Sequence, residues 1–105
     1  MKRDLRNNFV ETESYSPRND KERKLIKAFS GLETDQERAN FLRDLLTLPE
    51  IEEFANRFEI ARLLLKGGSY KKIAKQASVS TTTVTRVAHW LFRGCGGYRK
   101  VIRNL

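Results

Sequence analysis

"SVSTTTVTR", Ser78 to Arg86, is the stretch whose reading decides the fold. It holds four threonines and two valines, the β-branched residues that strands prefer. A strand starting at Val79 would put Val79, Thr81, Thr83 and Thr85 on one face and Val84 on the other. The residues that follow, "VAHWLF", decide against it: Val84, Val87 or Ala88, and Leu91 recur at helical spacing. Ser80 is a ready N-terminal cap. The spacing predicts a helix over residues 81–92.

The segment just upstream predicts a second, shorter helix. Ser69 can cap residues 70–76, with Ile73, Ala74 and Ala77 inward. Ser78 and Val79 are left as a tight connection. Two short helices joined in this way make a helix-turn-helix, here over residues 69–92. The small Ala74 falls where the helices cross, Val79 points inward from the turn, and Val84 and Val87 pack. Ser78 stands where such turns often have glycine, so it must avoid a positive φ or accept one at some cost.

This packing leaves Ser80, Thr81, Thr82, Thr85, Arg86 and His89 outward on the second helix. Their hydroxyls suit phosphate oxygens or base edges, threonine methyls suit thymine methyls, and arginine binds guanine through two hydrogen bonds. Lys71, Lys72 and Lys75 on the first helix are expected near a DNA backbone.

The rest of the chain predicts further helices. In "TLPE", Thr47 caps, Leu48 and Pro49 open the helix, and Glu50 closes a capping box. Ile51, Phe54, Phe58, Ala61, Leu64 and Leu65 then keep a helical period until "KGG" stops it at Lys66 to Gly68. Before it, Thr34 and Glu37 form another box, opening a helix with Phe41, Leu42, Leu45 and Leu46 on one side. A first helix begins near Asp20, with Leu25, Ile26 and Phe29 as its stripe and Gly31 as its stop. Residues 98–105 form a last short helix with Val101, Ile102 and Leu105 apolar. Residues 1–19 are polar and without period, and are expected to be a flexible arm. The fold class is therefore all-α, with the helical domain over residues 20–105.

Charge narrows the function. Residues 1–59 carry 11 Lys/Arg and all 13 Asp/Glu; residues 60–105 carry 10 Lys/Arg and no acidic residue. A half so basic attracts a polyanion through long-range attraction and release of phosphate counterions. Double-stranded DNA is the expected partner. A core drawn from 105 residues has little margin, so association with a second copy would help. No apolar run is long enough to cross a bilayer, and the basic start "MKRDLRNNF" lacks the apolar segment of a signal peptide. The single cysteine, Cys95, fits a reducing cytoplasm.

Residues 46–86, "LTLPEIEEFANRFEIARLLLKGGSYKKIAKQASVSTTTVTR", followed by "GGY" at Gly96, Gly97 and Tyr98, resemble the Trp repressor family, in particular its YerC/YecD-type branch. The resemblance covers residues 20–105. It implies an all-helical subunit, a dimer intertwined through its N-terminal helices, and one helix-turn-helix per subunit on operator DNA. The implied function is a homodimeric transcriptional regulator, most often a repressor. In that family two arginines sandwich a tryptophan effector. Arg57 and Arg86 match them, and Thr47 matches a third contact. The match then breaks. Val87 stands where the family has a glycine that leaves room for the ligand, and Trp90 where it has a serine. Both crowd the pocket, so a tryptophan response is not expected. Arg57 alone reads as a surface pair with Glu53 at i−4.

Other readings follow from what is missing. No phosphate loop, Ser–His–acid set or metal cluster is visible, so neither an enzyme nor a cofactor is expected. His89 has no ligand partners at metal spacing. Cys95 lies near Arg93 and Arg99, but the chain has no resolving cysteine for a redox switch. Trp90, Phe92 and Tyr98 read as packing residues, and Arg99, Lys100 and Arg103 as cations for DNA flanks. A protein–protein module docking on an acidic partner of the transcription machinery is the alternative. RNA binding ranks last, for want of an aromatic sheet motif.

Overall fold

Side-chain oxygens start five of the helices. The structure, a computed structural model, describes residues 14–105. Asn19 Oδ1 accepts from the Glu22 N–H at 3.0 Å and opens α1, Asp20–Ala28. A short 3₁₀ turn, Phe29–Gly31, extends it. Thr34 and Glu37 exchange side-chain and backbone hydrogen bonds, each 3.1 Å, at the start of α2, Asp35–Leu45. Thr47 and Glu50 repeat the exchange, at 2.9 and 3.3 Å, before α3, Leu48–Leu65. Ser69 caps α4, Tyr70–Ala77, and Ser80 caps α5, Thr81–Arg93. α6, Gly97–Arg103, has no side-chain cap. Every helix of the sequence reading is present, with ends moved by at most two residues. No strand occurs among the described residues.

The capping carboxylates respond to these bonds. Backbone N–H groups of Glu33 and Thr34 hold the Glu37 carboxyl below its ordinary value, and the Thr47 N–H does the same for Glu50. At the entry to α1, Glu22 accepts from the Tyr15 hydroxyl, the Arg18 N–H and the Arg18 guanidinium, the last at 2.7 Å. The Tyr15 hydroxyl bond leads the downward shift of Glu22 and the upward shift of Tyr15. The expected arm spans residues 1–19, of which residues 1–13 lie outside the described residues.

The described residues fall into two units, Tyr15–Glu53 and Phe54–Leu105. The first contains α1, α2 and the start of α3. Neither α1 nor α2 buries a residue. Their apolar stripes are real but exposed: Leu25, Ile26, Phe29, Leu42 and Leu45 all face solvent in the single chain. Phe29 and Phe41 meet edge to face, with ring centroids 5.7 Å apart.

The second unit holds the core. Ile60, Ala61 and Leu64 of α3, Ile73 and Ala74 of α4, and Val84, Val87, Ala88 and Leu91 of α5 are all buried together. Leu63, Ala77, Val79, Phe92, Tyr98 and Ile102 close its edges. No polar or charged side chain is buried among the described residues, so nothing in this core requires a compensating hydrogen bond. α4 and α5 pack on each other and on the end of α3, which fixes the helix-turn-helix as one rigid piece.

Two turns of the same kind join these three helices. α3 ends at Gly67, whose φ is 86°, while the Gly68 N–H reaches back to Leu63 O at 3.3 Å. α4 ends at Ser78, φ 56° and ψ 45°, while the Val79 N–H reaches Ala74 O at 2.9 Å. Both are Schellman endings built around a left-handed residue. Glycine takes that conformation freely; a residue with a Cβ, such as Ser78, takes the positive φ at a steric cost.

Candidate nucleic-acid interface

Helical geometry divides α5 into two sides. Val84, Val87, Ala88 and Leu91 fill the buried side. Thr81, Thr82, Thr85, Arg86 and His89 are exposed on the other, with Ser80 exposed at its N-terminal cap. Lys71, Lys72 and Lys75 are exposed on α4. The three lysines, with Gly67, Gly68 and Ser69, line an open cleft of about 490 Å³. The lysines bring three positive charges to this surface, which suits a phosphate.

Hydrogen bonding sorts the hydroxyls. Ser80 Oγ is committed to the cap: it accepts the Thr83 N–H at 3.1 Å and lies 3.1 Å from Thr83 Oγ1. Thr85 Oγ1 donates to Thr81 O at 2.9 Å, one turn back, which leaves its methyl and lone pairs for an outside partner. In the unit Phe54–Leu105 the acidic residue is Glu59, and it pairs with Arg62 at 2.8 Å. The surface of α4 and α5 therefore presents positive charge without an internal carboxylate to neutralise it.

The three effector-pocket candidates have separate local roles. The Thr47 hydroxyl works in the α3 cap, accepting the Glu50 N–H and donating to Glu50 Oε1 at 3.0 Å. The Arg57 guanidinium lies 5.5 Å from the centre of the Phe54 ring. Its charge also reaches Tyr98: partial burial pushes that phenol up, and Arg57 opposes the shift. Arg86 is exposed on α5. Val87 is 4% exposed and belongs to the core.

One expectation needs correction. The sequence reading groups Trp90 with the packing residues, but its side chain is 56% exposed. Trp90 precedes the buried Leu91 by one residue, about 100° around the helix, which turns it off the core stripe. Its ring meets that of His89 edge to face, 5.4 Å between centroids. Phe92 and Tyr98 do pack against the core. Cys95 is exposed. Among the described residues no group of three His, Cys, Asp or Glu is placed to hold a metal ion, and no helix is long and apolar enough to cross a membrane.

An all-helical unit with a rigid helix-turn-helix and a basic outer face defines a class: the helix-turn-helix regulators. Comparison with known proteins narrows it. The family model of the Trp repressor protein matches residues 21–105. The uncharacterized protein YerC of Bacillus subtilis (strain 168) is 35% identical over 78 residues, which span 74% of this chain and 75% of YerC. The crystal structure of a TrpR-like protein from Eubacterium eligens ATCC 27750 superposes with a TM-score of 0.77 at 31% identity, covering 83% of this chain and 90% of that one. The chain belongs to the Trp repressor family, a family of DNA-binding regulatory folds, and is similar to its YerC branch.

Proposed function

We propose that the chain is a sequence-specific transcriptional regulator, a repressor, that binds double-stranded DNA in the cytoplasm as a homodimer. The observation that carries this reading is the division of α5. Its inner side is locked into the core, and its outer side offers Thr81, Thr82, Thr85, Arg86 and His89. A helix held in this way enters a major groove by its N-terminal half. Thr81, Thr82, Thr85 and Arg86 then meet base edges, while Ser80, His89 and the α4 lysines Lys71, Lys72 and Lys75 meet backbone. Two copies present their reading helices to half-sites ~34 Å apart, one turn of the duplex.

The bare stripes of α1 and α2 support the homodimer: they leave large apolar side chains in water unless a second copy covers them. Tryptophan is not the effector in this reading. Val87 fills the core at the position where the resemblance needs a glycine, and making room for an indole there would disturb packed neighbours. Thr47, Arg57 and Arg86 serve instead in the cap, on the α3 surface and on the reading face. Micromolar binding of tryptophan in a calorimeter would contradict this.

The test of the function is selection of bound duplexes from a random pool, followed by titration of the recovered duplex and a scrambled copy at several salt concentrations. The recovered sequence is expected to be near-palindromic and to bind far more tightly than the scrambled one. Equal binding of the two, or binding that ignores salt, would refute the reading.

A further inference from the structure

Thr85 differs from Thr81 and Thr82 in the use of its hydroxyl. Its Oγ1 donates to the Thr81 carbonyl oxygen at 2.9 Å, one turn back along α5. A threonine hydroxyl has one proton, and this bond takes it. Thr85 therefore has no hydrogen to give an outside acceptor while the bond stands. Among the described residues, the hydroxyls of Thr81 and Thr82 have no such commitment.

The residue is well placed to read a base. Thr85 is exposed and is the fifth of the 13 residues of α5, in the half that leads into a groove. Val84 before it is 0% exposed and Val87 after it 4%, so the core fixes which side of the helix Thr85 occupies. That side belongs to the unit Phe54–Leu105, whereas the stripes assigned to a second copy belong to Tyr15–Glu53. Covering those stripes calls on none of these residues.

We propose that Thr85 is a specificity-determining residue that reads the 5-methyl of a thymine through its own methyl group. This rests on the DNA-binding reading above and adds a base and an atom to it. The major groove displays three kinds of group: acceptors on guanine, adenine and thymine, amino donors on cytosine and adenine, and the thymine methyl. The proton held by Thr81 O takes away the acceptors as partners. The oxygen keeps its lone pairs, but the bond draws it against its own helix, away from an amino group. The Cγ2 methyl has no such restraint and is the remaining heavy atom at the tip of the side chain. Its match in the groove is the one apolar group there.

The test separates methyl from hydroxyl on both molecules. The probe is the tightest duplex recovered from a random pool, end-labelled, with affinities read from the anisotropy of the label. In a set of copies each thymine is replaced in turn by deoxyuridine, which removes only the methyl. One such replacement per half-site is expected to weaken the wild type about three- to fivefold, the value of one buried methyl. Thr85→Ser keeps the hydroxyl and loses the methyl, and is expected to bind the intact and the replaced duplex alike. Thr85→Val loses the hydroxyl and keeps the methyl, and is expected to retain the response to the replacement. Circular dichroism melts check that both variants are folded.

A folded Thr85→Ser variant that still responds to the missing methyl would overturn the proposal. So would a folded Thr85→Val variant that has lost the response, because the hydroxyl would then be what reads the base. A selected duplex in which no thymine methyl matters to the wild type would overturn it too, while leaving the DNA-binding reading intact. Failure to bind any duplex more tightly than its scrambled copy would sink both readings together.

Discussion

The Val79 N–H donates to the Ala74 carbonyl at 2.9 Å, and the bond closes around Ser78 in the left-handed conformation. This relationship sets the angle between α4 and α5, because it fixes the chain between Ala74, buried at the α4–α5 crossing, and Val79, packed at the edge of the core. Gly67 takes the same role at the end of α3 without a side-chain cost. Ser78→Gly should therefore stabilise the protein. Relief of the left-handed strain, roughly 1–2 kcal/mol, is partly offset by the greater chain freedom that glycine loses, about 0.5–1 kcal/mol. A net gain of about 0.5–1 kcal/mol raises the melting temperature by several degrees at fixed protein concentration. A melting temperature unchanged or lowered by Ser78→Gly would show that Ser78 is not strained.

Burial at the crossing gives the opposite expectation. Ile73 and Leu91 are among the most completely buried side chains. Ile73→Ala or Leu91→Ala should destabilise by about 2–5 kcal/mol, through lost burial and an unfilled cavity. Urea denaturation measures it. The outward Lys75→Ala serves as the control and should change stability by no more than about 0.5 kcal/mol.

The contrast between these positions explains what the sequence made legible. Thr34, Thr47, Ser69 and Ser80 were readable as caps because each acts within three residues of itself. Val84, Val87 and Leu91 were readable as core because periodicity names the inner side of a helix. Trp90 is the exception: an aromatic beside an apolar stripe looks like part of it, and only its angle around α5 removes it. The Tyr15–Glu22 bond was missed because it spans seven residues of a segment without period. The stripes of α1 and α2 were visible, but a pattern shows which side is apolar and not what covers it. The bases that meet Thr81 or Arg86 belong to another molecule, and no pattern within this chain records them.

The capping carboxylates give the protein a pH dependence. Glu22, Glu37 and Glu50 are held below their ordinary values by hydrogen bonds that exist only in the folded chain. A depressed folded value means that their contribution is complete above the unfolded carboxylate range, about 4.3. It is lost as pH falls from there through the folded values. Thermal melts between pH 6 and pH 3 should show stability falling in the acid part of that range. A Glu37→Gln, Glu50→Gln variant should be less stable at pH 6 and show a shallower fall. Parallel curves for the two proteins would mean that these caps contribute no linkage.

The α4 lysines and Arg86 should fail differently on DNA. Lys71, Lys72 and Lys75 line a cleft suited to phosphate, which carries no sequence information. Lys71→Ala or Lys72→Ala should weaken the selected and the scrambled duplex by similar factors, and reduce the slope of log affinity against log salt by about 1. Arg86→Ala should instead cost about 1–3 kcal/mol on the selected duplex and relax the preference at one base pair. Filter binding across a salt series separates the two patterns. If Arg86→Ala weakens both duplexes equally, Arg86 is a backbone contact and the reading of bases falls to the threonines.

The N-terminal unit bears on the oligomeric state. α1 has nine residues and α2 eleven, both shorter than the ~12–15 residues at which an isolated helix becomes marginal in water. Neither buries a residue, so capping and local pairs such as Phe29 with Phe41 are what hold them in one chain. These terms are small: an N-terminal cap contributes about 1 kcal/mol, and an aromatic pair about 0.5–1.5 kcal/mol. Leu25, Ile26, Phe29, Leu42 and Leu45 supply the missing burial if a second copy covers them. Sedimentation equilibrium of the wild type should give twice the mass of the 12.2 kDa chain. Leu42→Lys should shift the equilibrium toward monomer and lower the helix content, because α1 and α2 lose their cover and fray. The core of the second unit is built within one chain, so its hydrogen-exchange protection should survive the substitution. A wild type that sediments as a monomer with full helix content would show that α1 and α2 stand without a partner, and the homodimer reading would have to be withdrawn.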